Sequence, residues 1–191
     1  MPDPTPLSTS ASDFSIRNAS EDDMPAVAGI YAHYVETSAT TYEEVAPNVT
    51  IIGERFKALS AKGLPYLVAE DEGQIVGFAY AGLYRDRAGY RYTVEDSVYV
   101  DKAHLGQGVG RALLSALIEQ CSALGYRQMI AVIGDSANAA SIALHSQLGF
   151  KVIGALDSTG RKFDLWIDTV LMQRALGDGS LTAPDHIDST L

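Results

Sequence analysis

Three glycines at alternate positions, Gly106, Gly108 and Gly110, stand just ahead of a segment that repeats apolar residues at helical spacing. The chemistry they permit is anion binding. The first N–H groups of a helix have no acceptor within it, and a turn built on glycine lets several of them point into one hollow. Two better-known glycine signatures do not fit. A dinucleotide fingerprint needs glycine at position 111, which is Arg111, and a P-loop needs Gly-Lys-Ser/Thr, whereas Gly108 and Gly110 are followed by Val109 and Arg111. Taken alone, the run also suits an ordinary glycine-rich connection. A little upstream, Glu95 and Asp96 adjoin in a stretch of strand-forming residues. Strand alternation puts Arg91, Thr93, Glu95, Ser97 and Tyr99 on one face and Tyr92, Val94, Asp96, Val98 and Val100 on the other. The second set is the more apolar and should face the core, which leaves Asp96 out of place.

These residues need a scaffold, and the pattern supplies one. A short strand over 14–17 is followed by a helix opened by Ser20, with Asp22 and Asp23 suited to its dipole and Pro25 to its first turn. A loop around Thr41 and Tyr42 leads to a second helix near 49–62, closed by Gly63. Strands are expected at 66–70 and 75–82, joined by the turn Asp71-Glu72-Gly73, and a longer one at 91–100. A helix after the glycines carries Leu113, Leu114, Leu117, Ile118, Cys121 and Leu124 on one stripe. A strand over 129–133, a helix over 138–148 and two strands near 151–156 and 163–173 complete a mixed α/β order of seven strands and four helices.

Composition narrows the field. The 191 residues are 47% apolar and 20% charged, which suits one globular domain, expected at 14–176. Residues 1–13, rich in Pro, Ser and Thr, read as a disordered leader, and 177–191 as a flexible tail. Fourteen Lys and Arg against 24 Asp and Glu give a net charge of −10, which disfavours a nucleic-acid partner. Any anion site must then be made locally, by backbone amides. The start of the chain lacks both a basic segment and an apolar stretch, and no apolar run approaches the ~18 residues that span a bilayer, so a cytoplasmic protein without a membrane is expected. The single Cys121 excludes a disulfide framework, and His33, His104, His145 and His186 lack metal-ligand spacing, so no metal is expected.

The sequence resembles the GNAT superfamily of acetyltransferases. Its members bind the CoA pyrophosphate with a Gln/Arg-x-x-Gly-x-Gly/Ala turn between the fourth strand and the third helix. The matching hexapeptide is Leu105-Gly106-Gln107-Gly108-Val109-Gly110, with Leu105 where the family carries Gln or Arg. A second block, Asn138-Ala139-Ala140-Ser141-Ile142-Ala143-Leu144-His145 through Gly149-Phe150, is similar to the family's N-x-x-A/S-I-x-L-Y/H-x-x-x-G-F segment. Tyr80-Ala81-Gly82, the run from Tyr90 to Val100, His33 to Ser38, and Lys162 to Asp168 look like the phosphinothricin and methionine sulfone or sulfoximine N-acetyltransferases.

The resemblance implies a GNAT fold: a mostly antiparallel twisted sheet of about seven strands, flanked by helices, whose fourth and fifth strands splay apart. GNAT proteins carry a bulge in the fourth strand, and one near 95–97 would account for Asp96. Acetyl-CoA is the implied cosubstrate, held by Val98, Tyr99, Val100, the turn Leu105, Gly106, Gln107, Gly108, Val109, Gly110 and Arg111, and by Asn138, Ser141 and His145. Glu95 matches the subgroup's general base, the other reading of it being a solvated or ion-paired strand residue. His145, with Tyr99 beside the thioester, falls where a proton donor to the leaving thiolate is expected; a purely structural hydrogen bond is the alternative. An anionic amino-acid acceptor wants a guanidinium, which Arg85 and Arg87 offer, with Thr93, Tyr42, Phe163 and Trp166 as further pocket candidates. The expected partner is a small amine, and a homodimer is implied by the subgroup. A different amine (a protein N-terminus, a polyamine, an aminoglycoside) and a non-catalytic acetyl-CoA sensor are the other readings.

Overall fold

In the computed structural model, residues 14–184 are described. The expected leader, and the expected tail from 185 onward, lie outside them.

The first elements follow their capping signals. After β1 (Ser15–Asn18), a single 3₁₀ turn leads into α1 (Met24–Thr37). Ser20 and Asp23 cap this entry reciprocally, the Ser20 N–H donating to Asp23 Oδ2 at 2.7 Å. The Arg17 guanidinium, 2.7 Å away, holds the Asp23 carboxyl down at about 2. Asn48 caps α2 (Val49–Ala61), its Oδ1 accepting the Ile51 N–H at 3.0 Å. Then come β2 (Tyr66–Asp71), β3 (Gln74–Leu83), β4 (Thr93–Val100), α3 (Val109–Ala123), β5 (Gln128–Gly134), α4 (Ala139–Gln147), β6 (Lys151–Lys162) and β7 (Leu165–Ala175).

The seven strands form one sheet in the order β1-β2-β3-β4-β5-β7-β6, antiparallel throughout except for the parallel β4–β5 pair. Its two faces carry separate cores. On one, α1 and α2 bury Val27, Tyr31, Val35 and Phe56 against Tyr66, Val68 and Phe78. On the other, the stripe expected on α3 (Leu113, Leu114, Leu117, Ile118 and Cys121) packs against Leu67, Ala79, Val94 and Met129. Leu124, expected to continue that stripe, is exposed where the helix ends.

Three expectations need correction. The fourth strand begins at Thr93 rather than Arg91, because Ala88–Tyr90 form a 3₁₀ turn and Arg91 closes it. The final hairpin is longer than expected. β6 runs on to Lys162, and the two-residue turn falls at Phe163 and Asp164, both in the left-handed region (φ 51° and 61°) that tight hairpins require. The third concerns β4. The splay is present: β4 pairs with β5 only from Thr93 to Asp96, after which β5 pairs with β7 alone. The bulge is not, because β4 pairs with β3 in unbroken register from Val94 to Val100. Alternation therefore persists through Asp96, which is buried on the α3 face with Val94 and Val100. It is there because it has a buried partner.

Candidate active site

The partner is His145. On α4, its Nε2 lies 2.9 Å from Asp96 Oδ2, with the two side chains 3% and 2% exposed. His145 Nδ1 lies 2.7 Å from the Ser141 carbonyl oxygen one turn earlier, and the ring stands edge-on to Phe150. Burial alone would lower the imidazole pKa. The bond to Asp96, its charge and the Ser141 carbonyl outweigh burial and raise it. The pair sits at the fork of the sheet, since Asp96 is the last residue of β4 to face β5.

Beyond the fork lies a slot of about 110 Å³, walled by Ser97, Val98 and Tyr99 of β4, Val132 to Gly134 of β5, Thr40, and Asn138, Ser141 and His145. It shares Val98, Asn138 and Ser141 with a wider cleft of about 440 Å³ that the glycine turn borders. Gly106 and Gly108 hold φ of +76° and +87°, so their reason for being glycine is conformational. The α3 ladder begins with the Ala112 N–H on Gly108 O at 3.0 Å, which leaves the N–H groups of Val109, Gly110 and Arg111 ahead of it. Lys102 and Arg111 add local positive charge to a chain of net charge −10. A long anionic ligand fits: amides for its diphosphate at one end, and a slot for a narrow chain at the other.

Glu95 lies on the opposite face of the same strand. It is half-buried, and burial raises its carboxyl pKa; the Arg85 charge partly offsets this, and the Asp96 charge adds to it. On this face Tyr99 stacks on Phe78 and meets Tyr31 and Tyr34 edge-on, with centroids 5.1–5.3 Å apart, and burial keeps its phenol protonated. A cavity of about 270 Å³ opens here, lined by Tyr31, Tyr66, Phe78, Tyr80 and Arg55 among others. Tyr80 pairs with Ser97 across the strands, so the cavity lies beside the Glu95 row.

The structure gathers most of the expected residues. Val98, Val100, Leu105, Gly106, Gly108, Val109, Gly110, Arg111, Asn138 and Ser141 line the wide cleft, and Tyr99 and His145 the slot. Gln107 falls outside that lining, its side-chain amide donating to Ala103 O. Arg85 and Arg87 are exposed in the loop before β4; Arg85 lies over the Tyr84 ring, and its charge reaches Glu95. Thr93 shares the Glu95 face. Tyr42 packs over Gly160 and hydrogen-bonds Asp168 O and Thr169. Phe163 and Trp166, expected in the pocket, stand at the tip of the longer β6–β7 hairpin, 54% and 67% exposed, and do not line the slot or the cleft.

Several residues at the site escape sequence reasoning. Tyr34 donates to Val100 O at 2.6 Å, and buried Lys162 donates to Thr41 O at 2.9 Å, tying the α1–α2 loop to the hairpin. These contacts cross the whole fold and leave no local trace. Asp96 did leave one, as a charge on an apolar strand face. Among the described residues no cluster of His, Cys, Asp and Glu could hold a metal, and no helix is long and apolar enough to cross a membrane.

Residues 27–150 match the acetyltransferase (GNAT) family, and the chain belongs to it: it is an acyltransferase. The chain is 50% identical over 171 residues to a phosphinothricin N-acetyltransferase from Alcaligenes faecalis, covering 90% of this chain and 87% of that one. It is 40% identical over 171 residues to an L-methionine sulfoximine/L-methionine sulfone acetyltransferase from Salmonella typhimurium, covering 90% and 98%. Among solved structures, a GNAT superfamily phosphinothricin acetyltransferase from Sinorhizobium meliloti in complex with AcCoA superposes with a TM-score of 0.87. It is 44% identical, over 90% of this chain and 93% of that one.

Proposed function

We propose that this enzyme transfers acetyl from acetyl-CoA to the primary amine of a small amino-acid-like molecule of the phosphinothricin or methionine sulfone and sulfoximine type. The observation that carries this is the continuity of the glycine cleft with a slot through the sheet, beside the strand that presents Glu95 on its far face. The amides at the start of α3 hold the diphosphate, and Asn138 and Ser141 flank the arm. β4 beyond Asp96 has lost β5 on one edge, so main-chain N–H groups in the stretch from Val98 to Val100 are suited to polarise the thioester carbonyl. Glu95 takes the proton of the attacking amine. A carboxylate lifted by burial is better matched to that task than a fully solvated one. The acceptor lies on the α1–α2 face, its carboxylate toward Arg85 and its side chain toward the aromatic cavity.

The test is a thiol-release assay with an amine panel, alongside calorimetry with acetyl-CoA. Phosphinothricin and methionine sulfone should release CoA fastest. Acetyl-CoA binding without CoA release from any amine would make the chain a sensor, and absence of binding would remove the reading altogether. The net charge of −10 favours one competitor, a polyamine, and a preference for spermidine would establish it. Buried Cys121, its thiol pushed up to about 12, should add little background to a thiol reagent in native protein, and it suits a reducing, cytoplasmic setting.

The long hairpin supports a homodimer. Val152, Ile153, Leu156, Phe163, Leu165 and Trp166 are all exposed on β6, the turn after it and the start of β7, an apolar surface whose burial by a second copy would be favourable. Sedimentation at micromolar concentration should give twice the chain mass, and a monomer would reject the dimer.

A further inference from the structure

Both ring nitrogens of His145 are engaged, and their partners differ in kind. Opposite Nδ1 is the Ser141 carbonyl oxygen at 2.7 Å, which can only accept, so Nδ1 carries a proton. Opposite Nε2 is Asp96 Oδ2 at 2.9 Å. If Nε2 were bare and the carboxylate ionised, two lone pairs would face each other at hydrogen-bonding distance in a buried site. A proton must lie between them. Asp96 Oδ1 is buried and has no hydrogen-bond partner among the described residues, so the carboxylate is not neutralised from its other side. Of the nearby titratable groups, Cys121 on α3 is kept neutral by burial and by the Asp96 charge, and Glu95 points away on the other face of β4. Ser141 on the α4 side and Ala131 and Ile133 on the β5 side contribute no charge.

We propose that Asp96 is a positioning residue that keeps His145 doubly protonated at the edge of the slot, so that its positive charge is in place beside the departing thiolate. The inference rests on the acetyl-transfer reading. As the neutral amine forms its C–N bond to the thioester carbon, the C–S bond breaks with its electron pair left on sulfur. The amine proton passes to Glu95, and sulfur leaves as the thiolate, its charge met by the imidazolium, and takes a proton from water afterwards. His145 stays doubly protonated throughout, donating from Nδ1 to Ser141 O and from Nε2 to Asp96. The pH behaviour of the geometry agrees with this, since the pair raises the imidazole pKa despite burial.

The experiment compares wild type, Asp96→Asn, Asp96→Glu and His145→Gln. Nuclear magnetic resonance of the ring carbons, with His145 identified by its loss in His145→Gln, should show the wild-type imidazole titrating above its ordinary value of about 6.5. In Asp96→Asn the midpoint should fall by about one unit or more, a tenfold or greater loss of proton affinity. The alkaline limb of kcat should move down with it, while acetyl-CoA affinity stays within about twofold. Asp96→Glu should restore part of both shifts. An alkaline limb and ring midpoint unmoved in Asp96→Asn would overturn the proposal. If that variant does not fold, a wild-type ring already neutral at pH 7 would overturn it equally. Should no amine be acetylated by wild type, the acetyl-transfer reading fails, while the ring titration still decides the state of the pair.

Discussion

Glu95 and Asp96 are adjacent carboxylates on one strand, and the fold places them in opposite circumstances. Asp96 turns toward α4, is closed off from solvent and meets the His145 imidazole at 2.9 Å. Glu95 turns toward α1 and α2, is half-buried beside an open cavity, and has an arginine charge in reach. The difference teaches how a strand that crosses a sheet fork can serve two steps of one reaction. Pleating alone separates the proposed proton acceptor from the buried Asp96–His145 pair by a single residue, with no bulge needed to redirect either side chain. The fork opens beside both, so under the proposed reading a thioester in the slot would have the Glu95 carboxylate on one face and the His145 imidazole on the other.

The sharpest way to break this comparison is Glu95→Gln. The amide keeps the volume but cannot take a proton, so turnover should fall by about 10²–10⁴-fold, the usual weight of a positioned base. Acetyl-CoA affinity should hardly change, because the glycine turn lies elsewhere. Stopped-flow and calorimetric measurements on the same preparation would check both. If the Gln variant turned over at near wild-type rates across the pH range, Glu95 would be the solvated strand residue that its position alone also allowed.

The same contrast marks what the sequence made legible. Elements announced by local chemistry were readable: the Ser20 entry to α1, the glycines at positive φ, the leucine stripe of α3, the order of strands and helices. So was the anomaly at Asp96. Its resolution was not, because the partner is 49 residues away on a helix whose facing depends on how α4 packs beside the fork. A charge on an apolar strand face calls for either a backbone irregularity or a buried counter-charge, and alternation cannot choose between them. Family likeness suggested the bulge; the β3–β4 register is unbroken, and Asp96 has a buried partner in His145 instead. The outward path of Phe163 and Trp166 was hidden for a related reason. Where a hairpin turns depends on two non-glycine residues, Phe163 and Asp164, adopting left-handed backbone, and neither signals that strongly.

Arg85 offers a smaller effect that sharpens the Glu95 half. Its guanidinium is exposed and its charge lowers the Glu95 carboxyl pKa, against the raising effect of burial. Under the proposed reading it also receives the carboxylate of the acceptor. Removing it by Arg85→Ala should therefore do two separable things. Loss of a charge-assisted hydrogen bond should reduce kcat/KM for an anionic amino-acid acceptor by about 10-fold, corresponding to about 1.4 kcal/mol, the low end expected for an exposed partner. The reduction should be much smaller for an acceptor amide lacking that charge. Glu95 should also titrate higher once the positive charge is gone. A base must be ionised to act, so the acid limb of the kcat/KM profile should move to higher pH, and activity lost at low pH should be regained as pH rises. Equal losses for the charged and uncharged acceptors would take Arg85 out of the recognition role. An acid limb that stayed in place would mean that the guanidinium does not tune Glu95.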